Sequence, residues 1–397
     1  MSTQHFRPAS DREAAELIRG AAGESFEIIS AGTKRNLGRP LAANAILDMS
    51  AVAGVIDYKP EELVLSARAG TRVTEIERLL ANHDQALGFE PCDWGPLFGA
   101  PAGNQTIAGV VAADVCGPGR VKSGSIRDHV IGCRFINGQG ELIKAGGPVI
   151  KNVTGFDIPK LMCGAFGTLG VLTEVTLRVL PRAKRSATFV LHDQSPKEGL
   201  GALIVAAQTP ADATALAYLP SSAIGLLESS ARGSRGAALI RIEGTPAAIG
   251  EKLGLLRARF PDAETTLLDE DETNLLFRHT GDGSLFGRDG DIWRLCVPPS
   301  HAASAAAEAG APLWYADWAG ALLWLQLPAS AEITQRLRGI TAKFGGHATL
   351  FRAADEARSA IDVFEPEAPV RANLSKAIKQ AFDPEHMFNR GRMFEYL

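Results

Sequence analysis

Cysteine is scarce in this chain of 397 residues, and the five present, Cys92, Cys116, Cys133, Cys163 and Cys296, form no C-x-x-C pair and have no histidine at zinc-like spacing. An odd count without such spacing leaves no thiolate set for an iron–sulfur cluster within the chain, so any cluster in its electron path belongs to another protein. Reduced, small core positions account for the cysteines; Cys116 stands apart because it lies in a glycine-rich loop that a ligand can reach. Charge of one sign is missing too. Forty-one Lys and Arg against 45 Asp and Glu give a net charge of −4, which offers no basic face for nucleic acid. Nor does any apolar run approach the roughly 20 residues of a membrane-spanning helix, so any membrane association is peripheral. The N-terminus lacks the pattern of a signal peptide. Ser10 and Glu13 form a capping-box pattern ahead of an amphipathic helix carrying Ala14, Leu17, Ile18 and Ala21, which reads as folded structure and a cytoplasmic setting. The sequons at Asn104 and Asn152 then carry no implication of glycan.

What is abundant is glycine in strand-flanked loops. With 46% hydrophobic and 22% charged residues the chain buries a full core, and its length suits two domains. FEIIS (26–30) reads as a buried strand, after which Ala31-Gly32-Thr33 offers backbone amides able to converge on an anion, with Lys34, Arg35 and Asn36 adding charge and donors. A plain polar turn would use the same residues. TIAGVVAAD (106–114) consists of small or β-branched residues in a short helix-like stretch, where backbone presses close to a flat ring or a diphosphate. Gly167-Thr168-Leu169-Gly170 then runs into a strand with Val171, Thr173, Val175, Leu177 and Val179 on one face and Glu174, Thr176 and Arg178 on the other.

Rival phosphate motifs fail on spacing. Gly164, Gly167 and Gly170 are three apart and lead into a strand, whereas a dinucleotide fingerprint needs G-x-G-x-x-G opening a helix. Gly119 to Ser125 superficially follows a Walker loop, but Ser125 stands where the lysine is required. Three loops over about 140 residues, approaching one large phosphate-bearing ligand, point to a flavin dinucleotide.

The wording of these segments carries a resemblance. AGTKRNLGRP (31–40), the block from Gly103 to Leu142, the block from Lys151 to Arg182 and FDPEHMFNRGRM (382–393) make the chain similar to the vanillyl-alcohol-oxidase/PCMH superfamily of FAD-binding flavoproteins, and within it to the FAD-binding (E) subunits of bacterial glycolate oxidases. The resemblance implies an α+β architecture: a PCMH-type FAD-binding domain over 1–182, an α/β cap domain over 183–355 for substrate or partner, and a segment over 356–397 returning to the flavin. It implies that Gly32, Thr33, Lys34, Arg35 and Asn36 hold the pyrophosphate. Thr106, Ile107, Gly109, Gly124, Ser125 and Ile131 would line the FAD channel, with Gly170 and Val171 near the adenine-side strand. Asn389 would approach the isoalloxazine, from a closure in which Arg390 replaces the usual Pro. No His or Cys matches the covalent attachment positions, which implies non-covalent FAD.

The departures bear on activity. Relatives that oxidise 2-hydroxy acids carry a His-bearing metal block in the cap, and the corresponding Tyr315–Gln326 stretch has no His; Asp317 alone does not make a metal site. No metal is therefore expected. A catalytic role remains unassigned, with Arg294, His347 and Arg352 as candidates for meeting a substrate carboxylate, set against ordinary solvent-facing or structural roles. Trp314, Trp318 and Trp324 read as cap packing or a partner interface, and Asp157 and Lys160 as loop fixtures. Two functions stay open: an FAD-binding subunit of a glycolate (2-hydroxy-acid) oxidase complex, working with a homologous catalytic flavoprotein and an iron–sulfur subunit, or a self-sufficient dehydrogenase of a small 2-hydroxy acid. A flavin-carrying structural subunit without turnover is a third version.

Strand–helix alternation is expected through residue 182, with a hairpin at Asn137-Gly138. From 183 the cap alternates strands and helices, which suits an antiparallel or mixed sheet covered on one face. A helix from Val370 to Phe382 leads into the tail.

Overall fold

A computed structural model describes residues 4–21, 23–147, 156–231 and 235–397; the Asn152 sequon and Lys151–Gly155 lie outside the described residues. Two compact units result, one of 1–115, 124–182 and 366–397, the other of 116–123 and 183–365.

The first unit opens on the expected helix, Asp11–Gly20, capped by the Ser10 side chain accepting from the Glu13 amide. Its Ala14, Ala15 and Ile18 face a small core with Phe26, Leu47 and Phe388. Strands Gln4–Phe6 and Phe26–Ile29 flank Ala45–Asp48 in a parallel three-stranded sheet. Helices such as Val73–Ala81 and Ile158–Met162 continue to separate strands after this point. Beyond it, five strands make an antiparallel sheet in the order Val55–Lys59, Val64–Arg68, Val171–Arg178, Val130–Ile136, Leu142–Gly146. The last two form the expected hairpin, and the Asn137 side chain fixes its loop by accepting from the amides of Gln139 and Glu141. Val171–Arg178 is central, so its second face is covered as well: Thr176 is buried and hydrogen-bonds Ser66.

The tail is tied in by a buried ion pair. Lys379, on the helix Pro369–Phe382, has no exposed surface; its ammonium donates to Thr168 O (2.7 Å), Phe388 O (3.0 Å) and Asp383 Oδ2 (2.7 Å). Asp383 in turn accepts from the amides of Met387 and Phe388. Every polar atom of the pair thereby finds a partner, as burial of charge demands. Phe388 then bridges to Phe26, which sets Asn389 beside the first loop.

The second unit is an eight-stranded sheet, ordered Thr265–Leu268, Arg185–Leu191, Gly236–Gly244, Ala215–Pro220, Leu313–Asp317, Leu322–Gln326, Ile292–Cys296, His347–Arg352. All its pairings are antiparallel. Alternate residues such as Trp293, Leu295, Leu323 and Leu350 join one core with the helices Pro196–Ala207, Pro246–Arg259, Ala302–Ala309 and Ala331–Phe344. The expectation of cover on one face needs correction: helix Glu270–Asp282 lies on the opposite face, where Thr273 hydrogen-bonds Thr188 and the Tyr315 hydroxyl donates to Thr280 O.

Candidate cofactor-binding site

All three glycine loops and the tail meet in the first unit. After strand Phe26–Ile29, Ala31 (φ 65°) and Gly32 (φ 68°) are both left-handed, an uncommon state for alanine, and turn the chain so that Thr33, Lys34 and Arg35 line a cleft that Asn36 does not. Among the described residues the amides of Gly32, Thr33 and Lys34 donate to nothing. The Ser30 hydroxyl, on the same wall, is buried without a hydrogen-bond partner. Lys34 Nζ rests on Gln105 Oε1 (3.2 Å) and Thr33 Oγ1 (3.4 Å), and burial lowers its pKa to about 8 against the opposing pull of Asp93 and Cys92. Three backbone amides without a protein acceptor, a hydroxyl without a hydrogen-bond partner and a desolvated ammonium form a cradle whose donors suit an anion.

Arg35 is placed differently from Lys34. Its guanidinium makes a two-pronged pair with Glu27 (Nε to Oε1 2.9 Å), and Arg392 reaches the same carboxylate at 3.2 Å while donating to Arg35 O at 2.6 Å. Burial pushes the Glu27 carboxyl up, yet the two guanidiniums outweigh it and hold the group below its ordinary value. Glu27 and Arg392 therefore brace the loop, with Arg392 also lining the cleft. Asn36 donates to Phe98 O at 3.4 Å.

Thr106 ties the second loop to the first, its hydroxyl donating to Ser30 O at 3.2 Å. Helix Ile107–Ala112 follows with Ile107 buried and with Gly109 and Ala112 on the cleft wall. The third loop is pinned to that helix by Gly164 N to Val111 O (3.0 Å) and Phe166 N to Ala112 O (2.8 Å). Asn389 joins the last corner: its amide nitrogen donates to Phe166 O (2.6 Å) and its oxygen accepts from Ile28 N (2.8 Å). Two clefts, each of about 500 Å³, share Ser30, Gly109, Phe166 and Asn389. Gly170 lines the second, and Val171 is buried in the neighbouring core. Gly124, Ser125 and Ile131 stand apart from both clefts; Ser125 caps the turn Ile126–His129 and bonds Asp128.

Glu27, Ser30, Phe166 and Arg392 escaped sequence reasoning. Glu27 had a signal, a carboxylate inside the apolar strand FEII, which a buried strand tolerates only with a cationic partner.

In the second unit, Arg352 donates to the carbonyls of Gly287 (2.8 Å), Asp289 (2.7 Å) and Gly290 (3.0 Å), which fixes that turn. The Arg294 guanidinium stacks on Trp324 (4.8 Å), Phe351 (5.1 Å) and Trp318 (5.4 Å), and His347 lies directly across the sheet from Cys296. Asp317 is buried and caps the Trp318 amide at 2.7 Å. No group of three metal-ligating side chains occurs among the described residues.

Residues 3–146, the stretch that builds the first two loops, match the FAD binding domain family. The glycolate oxidase subunit GlcE of Escherichia coli (strain K12) is 34% identical over 96% of this chain and 97% of its own length. The chain belongs to the glycolate oxidase GlcE family. It is thus of the FAD-dependent oxidoreductase type, and the cleft around Lys34 lies within the matched FAD-binding domain. A D-2-hydroxyglutarate dehydrogenase of Xanthomonas citri pv. viticola is 29% identical over 43% of this chain and 35% of its own length, so GlcE-like sequence is shared with other 2-hydroxy-acid dehydrogenases over part of the chain. The fold is that of an alkyldihydroxyacetonephosphate synthase structure (TM-score 0.67, 14% identity, 97% of this chain and 75% of that one).

Proposed function

We propose that this chain is the FAD-binding subunit of a complex that oxidises glycolate or a closely related 2-hydroxy acid and passes the electrons to an iron–sulfur partner. The observation that supports it best is the donor cradle of Gly32, Thr33 and Lys34, in a chain similar over nearly its whole length to a glycolate oxidase subunit. Bound FAD would supply a two-electron acceptor. The chain's own residues do the holding. Lys34 and the three amides neutralise a diphosphate, and Ser30 donates its otherwise unused hydroxyl. Gly109 and Ala112 keep the wall low enough for a ring to lie against backbone, and Asn389 locks the first and third loops at a fixed separation.

The subunit status of the E. coli relative supports partner subunits. No helix among the described residues is long and apolar enough to cross a membrane. Non-covalent attachment predicts that acid precipitation releases all the flavin into the supernatant. The test of function is anaerobic mixing of the purified chain, alone and with its copurifying subunits, with glycolate while the flavin absorbance is followed. Bleaching only when the other subunits are present is the expected result; bleaching by the isolated chain would favour a self-sufficient dehydrogenase, and no bleaching of this flavin in the full complex would refute the redox role.

A further inference from the structure

The first glycine loop is held by a residue from the far end of the chain. Backbone bonds from Phe26 N to Met387 O (2.7 Å) and from Asn389 N to Phe26 O (3.0 Å) lay residues 387–389 along strand Phe26–Ile29. That docking delivers the buried Arg392 to residues 35–39. Its Nη1 donates to the carbonyls of Arg35 (2.6 Å), Leu37 (3.3 Å) and Arg39 (3.5 Å), and its Nη2 donates to Glu27 Oε1 (3.2 Å). Its own carbonyl accepts from the Arg39 amide at 2.8 Å. The loop is shaped to admit this side chain: Gly38 has φ 87°, and a Cβ there would lie 2.7 Å from Arg392 Cδ and 2.9 Å from Arg392 O. A planar guanidinium spans three carbonyls and a carboxylate, a set that the single ammonium of a lysine does not reach.

The carbonyls that Arg392 holds belong to residues whose amides orient the cradle. Arg35 N donates to Gly32 O (3.2 Å) and Leu37 N to Lys34 O (3.1 Å). In a trans peptide the carbonyl and the N–H that follows it point opposite ways, so anchoring Gly32 O inside the loop turns the Thr33 amide away from it. A series of bonds thus runs from the guanidinium, through residues 35 and 37, to the donors of the cradle.

We propose that Arg392 is a positioning residue for cofactor binding, and that docking of the tail and binding of a diphosphate are thereby linked. The inference rests on the diphosphate reading of the loop. Arg392 lines the cleft, but Nη1 and Nη2 are engaged by protein acceptors, so it acts through the loop and not as a phosphate ligand. The linkage is reciprocal: whatever the docked tail adds to FAD affinity, bound FAD adds to the docking of the tail.

The flavin-stripped full-length chain is titrated with FAD and with riboflavin, as wild type and as Arg392→Lys. The variant keeps the charge and loses the fork, so FAD should bind about tenfold more weakly or worse while riboflavin, which has no phosphate, changes by less than about twofold. Equal losses for the two flavins mark a general structural role and overturn the proposal, as does a variant with wild-type FAD affinity. Wild-type chain supplies the second test, which needs no variant to fold: hydrogen exchange read by mass spectrometry, with FAD, with ADP and with riboflavin. FAD and ADP, which share the diphosphate, should each slow exchange several-fold in both residues 31–39 and residues 385–393, and riboflavin should leave both unchanged. Protection of the loop with an unchanged tail overturns the linkage. A wild type that binds FAD no more tightly than riboflavin refutes the diphosphate reading itself; an unaffected Arg392→Lys with that preference intact refutes this inference alone.

Discussion

At the scale of single residues, Lys34 and Arg35 show how far a charge in a sequence can be trusted. Both were legible as cations beside a glycine turn. Both line the cleft, but Arg35 has its charge paired there, because Glu27 accepts its guanidinium from a strand seven residues upstream of Lys34, and Arg392 closes the same carboxylate from the tail. Tertiary pairing of this kind leaves no local pattern. Lys34 also yields a pH dependence. The unfolded chain keeps this proton up to about 10.5 and the free folded protein only up to about 8, so this group's contribution to stability rises with pH across that window and is unfavourable below it. A bound diphosphate would restore the proton. The FAD dissociation constant should be flat up to about pH 7.5 and then rise toward tenfold per unit above about pH 8, one proton being taken up on binding. Lys34→Met should flatten that slope and weaken binding by roughly 10- to 100-fold, the worth of a charged hydrogen bond. Fluorescence titration from pH 6.5 to 9.5 checks it; a wild-type constant unchanged across that range refutes the assignment.

At the scale of elements, the short helix Ile107–Ala112, the strand Val171–Arg178 and the hairpin at Asn137 were readable from residue size, period two and turn chemistry. The strands Ala215–Pro220 and Leu313–Asp317 and the helix Glu270–Asp282 were not assigned from sequence. Ala215–Pro220 is buried on both faces and so lacks alternation, while the helix covers a face whose existence depends on the sheet being assembled first. One glycine of the third loop, Gly167, is explained by Asn389. Gly167 has φ 69°, and a Cβ there would lie 2.7 Å from the Asn389 amide nitrogen. Gly167→Ala should therefore drive Asn389 off Phe166 and Ile28 and loosen the clamp between the first and third loops. The expected outcome is a loss of about 2 kcal/mol in stability, read as a drop of several degrees in Tm, with weaker FAD retention on gel filtration. Full retention with unchanged Tm would show that the clamp does not hold the site.

At the scale of the whole molecule, family and cofactor class were legible because phosphate-gripping loops constrain backbone, and backbone constraints show as glycines and small residues at fixed places. The catalytic assignment was not. Arg294, His347 and Arg352 read alike as polar residues in the cap sequence, and only the folded sheet separates a turn-fixing Arg352 from an Arg294 boxed by aromatic rings. Everything assigned to the flavin depends on main-chain amides and Lys34 gripping a diphosphate. The most direct test is equilibrium titration of the flavin-stripped chain with FAD and, separately, with riboflavin, which has the same ring system and no phosphate. One FAD per chain, bound at least about 100-fold more tightly than riboflavin, is the expected result, since two or more charged hydrogen bonds are worth that much. Equal affinity for the two, or no binding of either, would contradict it.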